Sequence, residues 1–239
     1  MESKLELAIL PQPTESTCGP TCLHAVYNYY GDRMDLDSLV GEVNQLEDGG
    51  TMAVMLGVHA LQRGYKATIY TYNLRVFDPS WFRSPEIDIP AKLREQLKVK
   101  KKKRLDFATH GYLEFFNLGG KLLFEDLTPK LIRRFLNEGV PIITGLSATY
   151  LYHDMRELPN CEYDDLRGEP AGHFVLLSGY HKENRTVLLA DPLAPNPVRG
   201  KEQYYEVGIE RLIGAIFLGI LTYDANLLII EPQEEGEHS

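Results

Sequence analysis

Cysteine, positive charge and uninterrupted apolar sequence are all scarce in this chain. Three cysteines in 239 residues cannot all pair with one another and are too few to staple a small fold. A disulfide framework is thus excluded, and reduced thiols point to the cytoplasm. Lys and Arg number 25 against 34 Asp and Glu, a formal charge of −9. A surface of that sign gains nothing from counterion release, so nucleic acid is not an expected partner. The longest apolar stretch, Leu212 to Leu221, is half of the roughly 20 residues a membrane-spanning helix needs. The segment Met1 to Glu6 has neither the basic region nor the apolar run of a secretory signal. No membrane partner is expected. What remains, 44% apolar and 25% charged residues, is ordinary globular composition with ample chain for a buried core.

The pattern predicts a helical front half, a charged insertion and a strand-rich back half, without internal repeats. Cys22, Ala25, Val26 and Tyr29 recur at helical spacing between Cys18 and a stop at Gly31-Asp32. Further helices are expected over Leu36 to Val43, Met52 to Gln62 and Lys130 to Asn137. Another runs from Ala91 to about Leu118, with a break near Ala108. Strands are expected over Lys66 to Tyr72, Lys121 to Phe124, Val140 to Leu146, His173 to Tyr180, Thr186 to Ala190, Tyr204 to Val207 and Leu227 to Ile230. A polar loop, Tyr150 to Ala171, has a length usually kept for function or left mobile. Helices followed by mostly antiparallel strands make an α+β fold. The expected organisation is one domain over residues 1–230, an insertion at about 76–116 and an acidic, disordered tail over 231–239.

The chemistry starts at Pro11-Gln12-Pro13-Thr14-Glu15-Ser16-Thr17-Cys18-Gly19-Pro20-Thr21-Cys22. Ser16 or Thr17 can cap the helix, and Pro20 suits its first turn. Cys18 is thereby placed at the positive end of a helix dipole, where unsatisfied N–H groups favour thiolate over thiol. A thiolate nucleophile needs a base, usually His, and a third group to orient that base. Gly172-His173-Phe174-Val175-Leu176 opens an apolar strand with a histidine. The partner strand of the hairpin ends at Ala190-Asp191-Pro192. A turn centred on Lys182 makes His173 and Asp191 direct cross-strand neighbours, and one centred on Glu183 leaves them diagonal on the same face. A turn of even length would put them on opposite faces. The Gln12 amide, six residues before Cys18, can join the Cys18 N–H in stabilising an oxyanion.

Gln12-x5-Cys18-Gly19-Pro20-x-Cys22-Leu23, followed by Tyr29-Tyr30-Gly31, resembles the nucleophile segment of the C39 and C39-like cysteine peptidases, within the papain-like superfold. The resemblance continues through Gly50-Thr51, Gln62 to Ala67, Leu136 to Ile143, Gly172 to Leu176 and Ala190 to Pro192, about two thirds of the chain. It implies that Cys18 is the nucleophile, His173 the general base and acid, Asp191 the orienting group and Gln12 the oxyanion donor. It also implies that the Cys18 helix packs on an antiparallel sheet, with the site in the cleft between them. Thr17 stands where the family commonly has an acidic residue, and 76–116 does not match. The membrane-spanning and nucleotide-binding regions of transporter-linked members are not in this sequence, so cleavage after paired glycines is not implied.

The expected function is therefore thiol-dependent hydrolysis of a peptide, isopeptide or other amide bond in a peptide or protein substrate, through a thioester and without a cofactor. Acyl or amide transfer on the same scaffold, or a peptide-binding module without turnover, are the alternatives. Cys22 with His24 invites a metal reading. On a regular helix, however, Cys18, Cys22 and His24 cannot all face one ion, which leaves Cys22 as a core residue. Cys161, His59 and His110 read as ordinary loop or helix residues, and Trp81 with Phe77 and Phe82 as a packing cluster. The basic run Lys100 to Arg104 reads first as a solvated helix face, then as a dock for an acidic partner, and last as a nucleic-acid contact.

Overall fold

The computed structural model describes residues 3–47, 49–198 and 200–233. Among them, eight strands form one sheet: β1 (Ser3–Lys4), β2 (Tyr65–Thr71), β3 (Lys121–Leu123), β4 (Ile142–Ser147), β5 (Gly172–His181), β6 (Thr186–Ala190), β7 (Tyr204–Gly208) and β8 (Asn226–Pro232). Their order is β3-β2-β8-β4-β5-β6-β7, with β1 alongside β5. Only β2 and β3 run parallel; the other pairings are antiparallel.

Strand alternation divides the core in two. Phe174, Leu176, Leu228 and Ile230 point to a cluster shared with α1 (Cys18–Tyr29), α2 (Leu36–Glu42), α3 (Ala53–Gln62) and α5 (Lys103–Asn117). Val175, Leu177, Leu227 and Ile229 point the other way, to α6 (Pro129–Asn137) and α8 (Ile209–Leu218). Each such side chain contributes ~1.5–3 kcal/mol on burial. A one-residue slip would carry a whole row to the wrong face, so this patterning pins the register that positions the site.

The fold is α+β, but helices and strands are less segregated than the sequence pattern suggests. Two helices, α7 (Ala148–Tyr152) and α8, lie in the back half. α8 occupies most of the apolar stretch after Ile209, with Ile209, Leu212, Ala215 and Ile216 buried at helical spacing. The expected break near Ala108 is not there: Ala108 is buried within α5. The break falls in the basic run instead, between α4 (Ile89–Val99) and α5. Lys100 and Lys101 close α4, their Nζ atoms donating to Gln96 Oε1 (2.7 Å) and the Leu97 carbonyl (2.9 Å). Cations are favoured at a helix C-terminus and disfavoured in the turn that would follow. The run is therefore not one solvated helix face. From segment 76–116, Phe77, Leu93, Leu105, Tyr112 and Phe115 enter the α1 core. Phe77 packs edge-on against Trp81, Phe82 and Tyr112. β8 takes in Glu231 and Pro232 of the expected tail, and residues 234–239 lie outside the described residues.

Candidate active site

Cys18 is the first residue of α1. The preceding loop folds on itself: Thr14 N–H donates to Thr17 Oγ1 (3.0 Å), and Thr17 Oγ1 donates to the Thr14 carbonyl (2.9 Å). Neither Ser16 nor Thr17 caps the helix with its side chain, contrary to expectation, because the Thr17 hydroxyl is committed to this loop. The first backbone bond of the helix comes from Thr21 N–H to the Thr17 carbonyl (3.0 Å), and Pro20 has no N–H to offer. The donors left at the helix start are therefore the Cys18 and Gly19 amides. Gly19 permits a close approach, since a Cβ there would stand 2.8 Å from Thr51 Cγ2 and 3.3 Å from the Phe174 ring. That approach brings the helix start to the open end of β5.

The β5–β6 turn has even length: His181 pairs with Thr186 across four residues. Continued unchanged, this register would pair Asp191 with Leu176 and put it on the face opposite His173. A β-bulge between Leu177 and Gly179 changes the outcome. Below it, Leu177 pairs with Leu189 and Leu176 with Ala190, so Asp191 and His173 become diagonal neighbours on one face. One extra residue in one strand restores the parity that the turn removed.

His173 Nε2 and Asp191 Oδ1 lie 2.8 Å apart. Asp191 is fully buried and receives four more hydrogen bonds. Leu193 N–H donates to Oδ1 (2.9 Å). Tyr152 hydroxyl (2.8 Å), Tyr205 hydroxyl (2.6 Å) and Asn196 Nδ2 (2.9 Å) donate to Oδ2. Burial alone would raise the Asp191 pKa, but the imidazole charge and these donors hold it below the usual carboxylate value. Burial and the carboxylate push the Tyr152 and Tyr205 hydroxyls up, so both remain donors. At His173, burial opposes protonation and is outweighed by Asp191 on one side and the Cys18 sulfur on the other. The pKa rises to about 10. With Nε2 on Asp191, Nδ1 is the ring nitrogen left for Cys18.

Cys18 and His173 line one open cleft of about 540 Å³, together with Thr51, Arg75, Arg104 and Asp224. Cys18, His173 and Asp191 are thus brought together. Gln12 is only partly brought in. Its backbone N–H donates to the Pro192 carbonyl (2.9 Å), tying the leading loop beside Asp191. Its amide Nε2, however, donates to the Thr14 carbonyl (3.0 Å), and Oε1 is buried without a partner. Cys22 is fully buried, its Sγ donating to the Phe174 carbonyl (3.4 Å), and burial pushes its thiol up. His24 Nε2 meets the Met34 carbonyl at 2.9 Å, and His59 lies between the Tyr27 hydroxyl (2.8 Å) and Glu42 (3.1 Å). Among the described residues no three His, Cys, Asp or Glu side chains are grouped to hold a metal. No helix among them is long and apolar enough to cross a membrane.

Sequence reasoning missed Tyr152, Asn196, Tyr205 and Asp224. None stands at a spacing that marks it, because each reaches the site from a separate element. The bulge alone left a signal, a glycine inside a strand at Gly179.

Residues 122–211 match the profile of the Peptidase_C39 like family. This is less than half of the chain, and it includes His173 and Asp191 but not Gln12 or Cys18. No curated protein matches the sequence. Among solved structures, similar chains include a double glycine motif protease from an AMS/PCAT transporter in complex with the leader peptide (14% identity, 97% of this chain and 95% of that one, TM-score 0.46). The peptidase domain of Streptococcus ComA, a bi-functional ABC transporter involved in a quorum sensing pathway, is another (15%, 94% and 98%, TM-score 0.45). A third is xylellain, a cysteine protease from Xylella fastidiosa (12%, 97% and 86%, TM-score 0.45). At these identities and scores the likeness says nothing about chemistry in this chain. The family match does bear on the stretch that carries the histidine and the aspartate, where this chain is similar to the C39-like family.

Proposed function

We propose that this chain is a cysteine peptidase that cleaves a peptide or isopeptide bond through a thioester. The observation that carries the reading is the imidazole wired at 2.8 Å to a buried, five-fold hydrogen-bonded carboxylate, with a helix-start thiol on its other side. With the proton already on His173, the Cys18 sulfur attacks the substrate carbonyl carbon, forming a C–S bond and an oxyanion. The Cys18 N–H and the second Gln12 Nε2 hydrogen stabilise that oxyanion. On collapse the C–N bond breaks and His173 protonates the leaving amine. Water then gives a proton to His173 while its oxygen bonds the acyl carbon, and the C–S bond breaks, releasing the acid and returning the sulfur and the protonated imidazole to their starting state. Asp191 keeps the ring oriented throughout.

The test is the alkylation rate of each cysteine against pH, with His173→Ala for comparison. Cys18 is expected to label quickly below pH 7 and to slow in the variant; equal, slow labelling of all three thiols would overturn the reading. Product analysis with and without an added amine separates hydrolysis from acyl transfer. The substrate is a peptide or protein. The three free thiols suit a reducing compartment such as the cytoplasm. An acidic partner would meet the exposed Lys100 to Lys103 of the basic run.

A further inference from the structure

Asp224 lies in the turn between a 3-10 segment (Gly219–Thr222) and β8, and lines the cleft with Cys18 and His173. It is 6% exposed. Its neighbours on both sides, Tyr223 (φ 70°) and Ala225 (φ 68°), are left-handed. Residues with side chains rarely adopt that conformation, and it persists where surrounding structure imposes it. Here the Asp224 N–H donates to the Gly219 carbonyl (2.9 Å) and the Ala225 N–H to the Gly145 carbonyl (3.2 Å). Two glycines make room for the carboxyl: a Cβ on Gly145 would stand 2.8 Å from Oδ1, and one on Gly172 2.6 Å from Oδ2.

The carboxyl so placed is under-satisfied. Thr222 Oγ1 donates to Oδ2 (2.8 Å), and Oδ1 takes no hydrogen bond among the described residues. Arg104 and Tyr112 of α5 and His173 of β5 act on it electrostatically, and Arg75, stacked over the Tyr223 ring, shares its cleft. Burial raises its pKa to about 7, against Thr222, Arg104 and His173, which lower it. A buried carboxylate short of donors is costly, and a cation set against its open oxygen supplies what is missing through a charge-assisted hydrogen bond. Glu15 and Glu169 line the same cleft with charge of the same sign, and Arg75 and Arg104 line it with charge of the opposite sign.

We propose that Asp224 is the specificity-determining residue of the cleft, binding an ammonium or guanidinium group of the substrate beside the bond that Cys18 attacks. The substrate class is then peptides with Lys, Arg or a free amino terminus next to the cleaved bond. This rests on Cys18 being the reactive thiol of the cleft.

The test needs no known substrate. In the full chain carrying Cys161→Ser, Cys18 is modified with three methanethiosulfonates: cationic aminoethyl, neutral methyl and anionic sulfonatoethyl. The ratio of cationic to anionic rates is expected to rise about tenfold between pH 5.5 and 8, with a midpoint near the Asp224 pKa. That rise is expected to vanish in Asp224→Asn, a tenfold preference corresponding to one charge-assisted contact of about 1.4 kcal/mol. A ratio in the parent protein that stays flat with pH overturns the proposal whether or not the variant folds. A rise that survives in a folded Asp224→Asn overturns it too. The neutral reagent reports on the thiol alone: slow labelling that ignores His173→Ala defeats the nucleophile reading, whatever the ratio.

Discussion

Two buried carboxyls feel the charge of His173, and the protein treats them oppositely. Asp191 is fully buried, Asp224 6% exposed, so burial pushes both toward the neutral acid. Asp191 gathers five hydrogen-bonding partners and stays below the usual carboxylate range. Asp224 has one donor hydroxyl and rises to about 7. The difference is not depth but the number of donors aimed at the group. One carboxyl is a fixed charge held against an imidazole, while the other is left unfinished on the cleft side.

The sharpest way to break this contrast is Asp191→Asn. It keeps the shape and removes the charge, and is expected to lower kcat/KM by ~10²–10⁴-fold. A variant within a few-fold of the parent in steady-state peptide hydrolysis would mean that Asp191 does not orient the base. Removing single donors comes next. Tyr205→Phe leaves Oδ2 short of its 2.6 Å partner and is expected to cost ~1.5–3 kcal/mol, read from urea unfolding.

A third comparison concerns pH. His173 is held protonated up to about 10, against about 6.5 when unfolded. Its folded pKa is the higher one, so its contribution is complete below about pH 6.5 and is lost as pH rises toward 10. The Tm difference between parent and His173→Ala is expected to shrink across that window. A constant difference would mean that Asp191 holds a neutral ring. The smallest effect is Thr222→Val, which removes the single donor to Asp224. It is expected to move the midpoint of the cation preference upward by about one pH unit or less; a downward move would show that another group titrates.

Much of this molecule was legible in its sequence, and the parts that were not share a cause. The strand Thr186 to Ala190, the helix starting at Cys18 and the order Cys18, His173, Asp191 are local signals: periodicity, turn chemistry, motif spacing. The sequence pattern pairs His173 with Asp191 through an odd turn, and the structure reaches the pair through an even turn plus a bulge, two departures that cancel. The break between α4 and α5 was misplaced because periodicity says nothing of the charge at a helix end. Tyr152, Asn196 and Tyr205 were invisible because their role is fixed by the far side of Asp191, which only the folded sheet supplies. Asp224 carried no spacing signal and shows itself only through Gly145, Gly172 and two left-handed neighbours.

The place of β8 has a consequence for how the molecule is made. It follows every other described strand in the chain, yet lies between β2 and β4. Until it is inserted, the half holding β2 and the half holding His173 each present a raw edge, the kind of surface that recruits stray strands. During synthesis the sheet would stay open until the ribosome has delivered that last piece, and a nascent chain stalled before Asn226 is a natural client for a chaperone.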